Sequence, residues 1–347
     1  MDHALTEGQA LLQRAAADFF AREFPLDRIR EFRTNPGPNE RDLWKQICAM
    51  GWNASAFPEE VGGYPGSFTE AAVILEQIGR AAAPTPLPHS TLAAGLALAA
   101  AGNPLAAAIA EGSAVVIAAP TVPGVPAPTM NSDNISGTAT AVRWTTLATH
   151  YLLPGGGGYA LVEAGPAVSS ARLDSAGLEP LGRVDLKRAP VAARFDSDFA
   201  RNLELNGSAA CAVVLAGASQ RALDVAVAYM KERRQFGKPI GAFQALQHRA
   251  ADMAIENEVG RYLAFKAASL HGTAGFERNA RYAKAYTSEA SLHVCREAIQ
   301  MHGGVGFVDE HKSQLFYRLC SDLSNAYGNA GQHREAVTAM VLAGQGQ

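Results

Sequence analysis

The chain is short of cysteine, and none of its cysteines are close together. Cys48, Cys211, Cys295 and Cys320 are the 4 it has, with no Cys-x-x-Cys pair. That spacing excludes a disulfide scaffold and a structural zinc site, so a reducing compartment is expected, and the cytoplasm is the expected location. An excess of charge of one sign is also missing. The 30 basic and 33 acidic residues leave a net charge of -3. Nothing is set to neutralise a phosphate backbone, so no nucleic-acid partner is expected. A long uninterrupted apolar run is absent too. Residues 81–110 carry no Asp, Glu, Lys or Arg, but Pro84, Pro86, Pro88 and Gly102-Asn103-Pro104 cut them up. They predict short buried helices and no membrane span. Met1-Asp2-His3 has neither the basic start nor the apolar run of a signal peptide.

What is present is an ordinary globular composition. Hydrophobic residues make up 48% of the chain, enough to exclude a largely disordered one. With 347 residues the chain is too long for one core, so two or three domains are expected. Residues 1–111 read as an N-terminal helical domain. Leu11, Leu12, Ala15, Phe19, Phe20 and Phe24 recur at helical spacing up to Pro25. Further helices are predicted near 41–50 and 69–79, with Ser67 or Thr69 as the cap of the latter. A turn-rich connector, 57–66, lies between them. Residues 112–200 change character. Short apolar runs at 115–119, 135–142, 151–153 and 159–162 alternate with Gly and Pro, which predicts a small antiparallel β-domain. Residues 201–347 return to long helical patterns at 209–232, 243–270, 279–301 and 314–325, a C-terminal four-helix bundle. The fold class expected is therefore α+β, helical at both ends with a small β-domain between.

The last segment contains Arg233-Arg234-Gln235-Phe236-Gly237-Lys238-Pro239-Ile240, Phe243-Gln244, Gln247-His248 and Ala251-Asp252-Met253. It then has Gln300-Met301-His302-Gly303-Gly304-Val305-Gly306-Phe307. The first segment has Leu43-Trp44, Gly51-Trp52, Pro58-Glu59-Glu60-Val61-Gly62-Gly63 and Glu76-Gln77-Ile78-Gly79-Arg80. In order and spacing these resemble the acyl-CoA dehydrogenase family. The resemblance covers both ends of the chain. It implies α,β-dehydrogenation of an acyl-CoA thioester, in which a carboxylate removes the α-proton and FAD takes hydride from the β-carbon. It implies FAD-binding roles for Arg233, Phe236, Gln244, Gln300, Gly303 and Gly304. Arg233 offers a fixed cation with a bidentate fork suited to a diphosphate. Gln244 offers an amide, and the glycine pair lets the backbone approach the adenosine diphosphate part. Phe236 suits either the cofactor or the bundle. His302 reads as a packing residue and Asp252 as a helix-face residue.

Two departures shape the functional expectation. The family's base is usually a glutamate in a late Tyr-Glu-Gly-Thr loop. Here the loop reads Ala326-Tyr327-Gly328-Asn329-Ala330-Gly331-Gln332, and Gly328 stands in the glutamate's place. Some members carry the glutamate in the first long bundle helix, a place that falls near Gly207 and is equally empty. Glu204, one turn away, is the candidate relocated base, with Glu335 beyond the late loop as another. The second departure is residues 118–123, Ala-Ala-Pro-Thr-Val-Pro, which lack the family's Thr-Glu-Pro-like flavin-seating segment. In the family the Arg motif and the Gln-x-x-Gly-Gly motif reach a neighbour's flavin, whereas the β-domain and late loop serve the subunit's own. This chain keeps the first set and lacks the second. It thus resembles the shorter, degenerate subunit of heterotetrameric steroid-CoA dehydrogenases. The expected partners are an acyl-CoA substrate and a second acyl-CoA dehydrogenase subunit carrying the base. An autonomous dehydrogenase using Glu204 and a flavin-free interaction protein on the same fold are the alternatives.

Overall fold

The fold is that of a computed structural model describing residues 5–34, 37–64, 66–309 and 311–345. Met1 to His3 and Pro65 of the connector lie outside the described residues. Helices come first: α1 (Glu7–Glu23), α2 (Leu26–Thr34), α3 (Gly37–Ala49) and α4 (Phe68–Ala81). A π-helical stretch, Pro88–Gly95, continues into α5 (Leu96–Ala100) and α6 (Leu105–Ala110). Strands follow: β1 (Val116–Ala118), β2 (Thr129–Met130), β3 (Asn134–Arg143), β4 (His150–Gly155), β5 (Gly158–Glu163), β6 (Val168–Leu173), β7 (Leu181–Pro190) and β8 (Ala193–Phe195). The chain ends in α7 (Ser197–Glu232), the hairpin β9 (Arg234–Gln235) and β10 (Lys238–Pro239), then α8 (Gln244–Ser269), α9 (Phe276–His302), α10 (Ser313–Leu323) and α11 (Ala330–Gln345).

Two compact units divide these elements. The sheet unit comprises residues 30–71 and 84–207. Its two four-stranded sheets run in the orders β1-β4-β5-β8 and β2-β3-β7-β6. The second is antiparallel throughout. The first is not, because β1 pairs parallel with β4, Val116 against His150. This corrects the expectation of a purely antiparallel domain: 31 residues, including β2 and β3, separate the two strands, long enough for a crossover return. In β7, Gly182, Val184 and Leu186 face inward while Arg183 and Lys187 face solvent, the alternation of a half-buried strand. The π-helical stretch is buried at every residue, and Ser90 Oγ accepts from Val116 N at 3.0 Å. The apolar segment 81–110 is therefore a set of short interior helices.

The bundle unit joins residues up to 29, 72–83 and 208 onward. α1 starts in a reciprocal cap between Thr6 and Gln9. Its Phe19 and Phe20 are buried, as the spacing predicts. α4 lies against α7 with backbones nearly touching. A Cβ added at Gly79 would sit 2.1 Å from Val214 O, and one at Gly217 would sit 2.2 Å from Glu76 O. Only glycine permits that approach. Glu76, nearly buried, receives Arg261 Nε at 2.5 Å and Gln13 Nε2 at 3.3 Å, and Arg80 reaches Asp224 at 2.7 Å. The run Glu76-Gln77-Ile78-Gly79-Arg80 therefore has a packing reason. α11 adds a further helix to the four predicted for the bundle, tied to α9 by the Arg334–Glu289 ion pair. α7 starts 12 residues before the predicted 209, so Gly207 and Glu204 are inside it. Among the described residues it is the one helix long and apolar enough to cross a membrane. Its apolar window is 78% buried inside the protein.

Candidate functional site

At the end of α7 the chain turns outward. Arg233 N still donates to Tyr229 O at 2.8 Å, and Ile240 N closes the hairpin on Arg233 O at 2.8 Å. The turn between β9 and β10 is Phe236-Gly237, with φ of 50° and 80°. Two positive φ values mark the primed turn that matches strand twist, and a phenylalanine in the first is held in an uncommon conformation. Phe236 is 91% exposed. Its ring touches Phe243 edge-on at 6.1 Å, and Lys238 Nζ lies 4.3 Å over the Phe243 ring. Phe236 thus packs on its own hairpin rather than in the bundle. Arg233 and Gln244, the first residue of α8, are exposed on the same hairpin segment.

The end of α9 is built as openly. Gln300 and Gly304 are exposed and Gly303 is half-buried. Gly303 has φ 62° and ψ -143°, backbone space that only glycine enters without strain. A Cβ at either glycine would meet no atom within 4 Å, so the bare backbone faces open space. The buried His302 ring lies 4.6 Å from the Tyr229 ring and 4.4 Å from the His311 ring. Its Nδ1 donates to Ala298 O at 2.6 Å, and burial pushes the imidazole below its ordinary pKa. Through His302 and Tyr229, the ends of α9 and α7 stand side by side. The six candidate cofactor residues therefore share one end of the bundle. An exposed guanidinium fork, two amides and uncovered glycine backbone are chemistry that fits the diphosphate and adenosine part of FAD.

The late loop is of the opposite kind. Gly328 has φ 99° and no side chain to take a proton. Its carbonyl accepts from Lys284 Nζ at 3.0 Å, and Lys284 also donates to Ser324 O at 2.7 Å and Ser288 Oγ at 3.0 Å. Lys284 is fully buried. Tyr327 O accepts from Ser208 Oγ at 3.1 Å and from His333 Nε2 at 3.0 Å. Burial, with the Lys284 and Arg281 charges, pushes the His333 imidazole down to about 4. Lys284, Ser208 and His333 were not legible as site residues. The one signal is that Lys284, Ser288, Ser291 and Cys295 recur at the spacing of one helix face, the face that α9 buries.

The candidate relocated bases are scattered. Glu204 is half-buried on α7. Its charge adds to burial in pushing Tyr159 up to about 12. Glu335 is exposed on α11, and Asp252 is exposed on α8. In the sheet unit, Trp144 is fully buried with its ring 6.2 Å from Phe32. Thr146, two residues on, gives its hydroxyl to the buried Glu40, whose carboxyl burial pushes above its ordinary value. Pro120, Val122, residues 125–128, residues 138–140 and Pro154 line a cavity of about 20 Å³, room for one water and not for a flavin ring.

Comparison with known proteins bears on the whole chain. Residues 6–106 match the family model for the acyl-CoA dehydrogenase N-terminal domain, and residues 202–342 match that for the C-terminal domain. The acyl-CoA dehydrogenase IpdE2 of Mycobacterium tuberculosis is 32% identical over 90% of this chain and 90% of its own. A chain of the ChsE4-ChsE5 complex from the same organism superposes with a TM-score of 0.90 at 25% identity, covering 99% of each chain. A chain of the Tcur3481-Tcur3483 steroid ACAD variant does so with 0.89 at 27% identity, over 98% of this chain and 99% of that one. The outward hairpin and glycine turn thus belong to a scaffold shared from end to end with FAD-dependent enzymes, and the chain is a member of the acyl-CoA dehydrogenase family.

Proposed function

We propose that this chain is one subunit of a heteromeric, FAD-dependent acyl-CoA dehydrogenase, a heterotetramer by analogy, and that it clamps FAD seated on a partner subunit that carries the base. The observation that carries this reading is the outward, exposed placement of Arg233, Phe236, Gln244, Gln300 and Gly304 at one end of the bundle. A cofactor site whose residues face away from their own chain needs a second surface to complete it.

Distance also separates the clamp from the base position. In α,β-dehydrogenation the proton and the hydride leave neighbouring carbons, so base and flavin ring must face each other across a few ångströms. Gly328 is held by Lys284, whereas the glycine turn follows His302. Lys284 and His302 are 18 positions apart on α9, about 27 Å of helix at 1.5 Å per residue. The clamp end of one chain, which suits the diphosphate and adenosine part of FAD, thus lies far along α9 from that chain's base position.

FAD, when bound, supplies the hydride acceptor. The residues of this chain do the holding. Arg233 would neutralise and orient the diphosphate by a forked, charge-assisted contact. Gly303 and Gly304 would bring backbone to the adenosine part without a Cβ in the way. Gln244 and Gln300 would supply amide contacts, and Phe236 an apolar face against cofactor or partner. The partner's carboxylate would take the α-proton. A bulky acyl group, such as a steroid, follows from the likeness to the steroid ACAD chain. Four free thiols suit the reducing cytoplasm.

The test is co-expression with a neighbouring acyl-CoA dehydrogenase gene, followed by a flavin spectrum and subunit stoichiometry. Equal amounts of the two chains with one FAD per pair is the expected result. A purified chain that is yellow by itself and oxidises an acyl-CoA unaided would overturn it.

A further inference from the structure

We propose that His333 closes this chain's own base position from the inside, as a positioning residue of the late loop and not as a replacement base. The inference rests on reading Gly328 as that position. It deepens the proposed function by giving the loss of the base a physical seal.

The seal begins with the start of α11. Asn329 and Gln332 cap it reciprocally: Gln332 N donates to Asn329 Oδ1 at 3.0 Å, and Asn329 N donates to Gln332 Oε1 at 2.9 Å. This capping box fixes the first turn. His333, the next residue, donates its own N–H to Asn329 O at 3.2 Å, and its ring is wholly buried under the loop. A Cβ built on Gly328 would come 2.9 Å from His333 Nε2, 3.4 Å from Cε1 and 3.5 Å from Cδ2. The imidazole therefore stands where the first atom of any side chain at 328 would project. The backbone is set against a side chain as well, with Tyr327 at φ 57° and Gly328 at φ 99°. Lys284 on the Gly328 carbonyl, and Ser208 with His333 on the Tyr327 carbonyl, hold both peptide groups in that state.

The same contacts argue against His333 as a base. A contact of 3.0 Å to a carbonyl oxygen requires a proton on Nε2, the atom nearest position 328. The lone pair is then on Nδ1, which is buried with no hydrogen-bond partner among the described residues. It is buried away from solvent. A ring so placed is neutral and stays so, consistent with the low pKa its burial and the neighbouring cations impose.

A mutant cycle on the full chain, read by thermal unfolding, tests the closure. Gly328→Ala should lower the melting temperature in the wild-type background. In the His333→Ala background that loss should be at most half as large, because the steric part is gone and only the φ strain remains. Equal losses in both backgrounds would overturn the proposal. A second measurement needs no variant. Nitrogen-15 NMR of histidine-labelled full chain should show one imidazole in the Nε2–H form that stays neutral down to about pH 5. An Nδ1–H form, or titration near the ordinary histidine value, would also overturn it. Neither readout uses flavin, substrate or partner. A chain yellow and active alone would sink the partner reading while the cycle still reports on the closure; additive losses would sink the closure while the partner reading stands.

Discussion

The two ends of the bundle unit handle polar groups in opposite ways. At the hairpin end, Arg233, Gln244 and Gln300 lie exposed beside a 91% exposed phenylalanine. At the late-loop end, Lys284, Ser208 and His333 are fully buried, each hydrogen-bonded to loop carbonyls. A buried ammonium is tolerated only when its protons are all received. Three oxygen acceptors do so here, with no carboxylate among them. The contrast teaches where the chain is finished and where it is not. The late loop is complete within one chain. The hairpin end leaves Arg233, Gln244 and Gln300 exposed.

Substitutions at the two ends should therefore differ in kind. The largest effect is expected for Lys284→Met, which keeps the volume and removes the ammonium donor from Gly328 O, Ser324 O and Ser288 Oγ. It should cost about 3–5 kcal/mol of stability, read by urea unfolding. A loss under about 1 kcal/mol would mean the late-loop end is not held as described. At the other end, Arg233→Ala should leave stability within about 0.5 kcal/mol, as surface changes do. In the complex with the partner subunit, the same change should weaken FAD retention by about tenfold to a hundredfold, the value of a charge-assisted contact, measured by flavin release. Flavin retention unchanged by Arg233→Ala would break the comparison outright.

The sheet unit provides a control with its own pair of buried carboxyls. Glu179 is nearly wholly buried, with His89 Nε2 at 2.9 Å and Arg143 at 2.7 Å. Burial alone would raise its pKa, but the contacts with His89 and Arg143 outweigh burial and hold it below the ordinary range. Glu40 accepts the Thr146 hydroxyl, and burial raises it against that bond and the charges of Arg172 and Arg41. The pH signs follow. Glu179 contributes stability that is present above the unfolded glutamate value and lost as pH falls through the folded value. Glu40, raised, favours the fold below the unfolded value and loses that contribution as pH rises through the folded one. Glu179→Gln should cost about 2–3 kcal/mol at neutral pH and flatten the fall in stability below about pH 4.5. Glu40→Gln should be milder and act just above that pH. Melting temperature across pH 3–7, about the carboxyl titration range, separates them. The smallest effect is expected for Glu204→Gln, which should leave the activity of the complex unchanged; lost turnover with flavin retained would restore Glu204 as a base.

Much of the fold was legible because periodicity and caps act locally. Ser67 caps α4 by accepting from Thr69 N, and Glu70 answers on Ser67 N, so the helix begins where the sequence places it. The start of α7 was hidden for an equally local reason. Residues 201–208 read Arg-Asn-Leu-Glu-Leu-Asn-Gly-Ser, polar and glycine-broken. In the structure Asn206 satisfies itself on Asn202 at 2.8 Å and the helix runs through. β6 shows no alternation, since four of its six residues are exposed. β7 does alternate, so its signal was there to be read. The parallel β1–β4 pair depends on a long return that no local pattern records. In the site, the outward motifs were legible because their residue types suit a cofactor. The late-loop seal was not, because Lys284 looks solvated in sequence and His333 fills position 328 only once a capped turn folds it back.

The close fit of α4 on α7 also has a consequence for synthesis. Gly79 and Gly217 meet backbone to backbone, yet they are 138 positions apart in the chain. At roughly 5–20 residues per second, Gly217 follows Gly79 off the ribosome by about 7–28 s. Through that interval α4, whose Ile74, Leu75 and Ile78 are buried in the finished protein, lacks α7. The nascent chain therefore carries an apolar helix before the partner it meets backbone to backbone has been made.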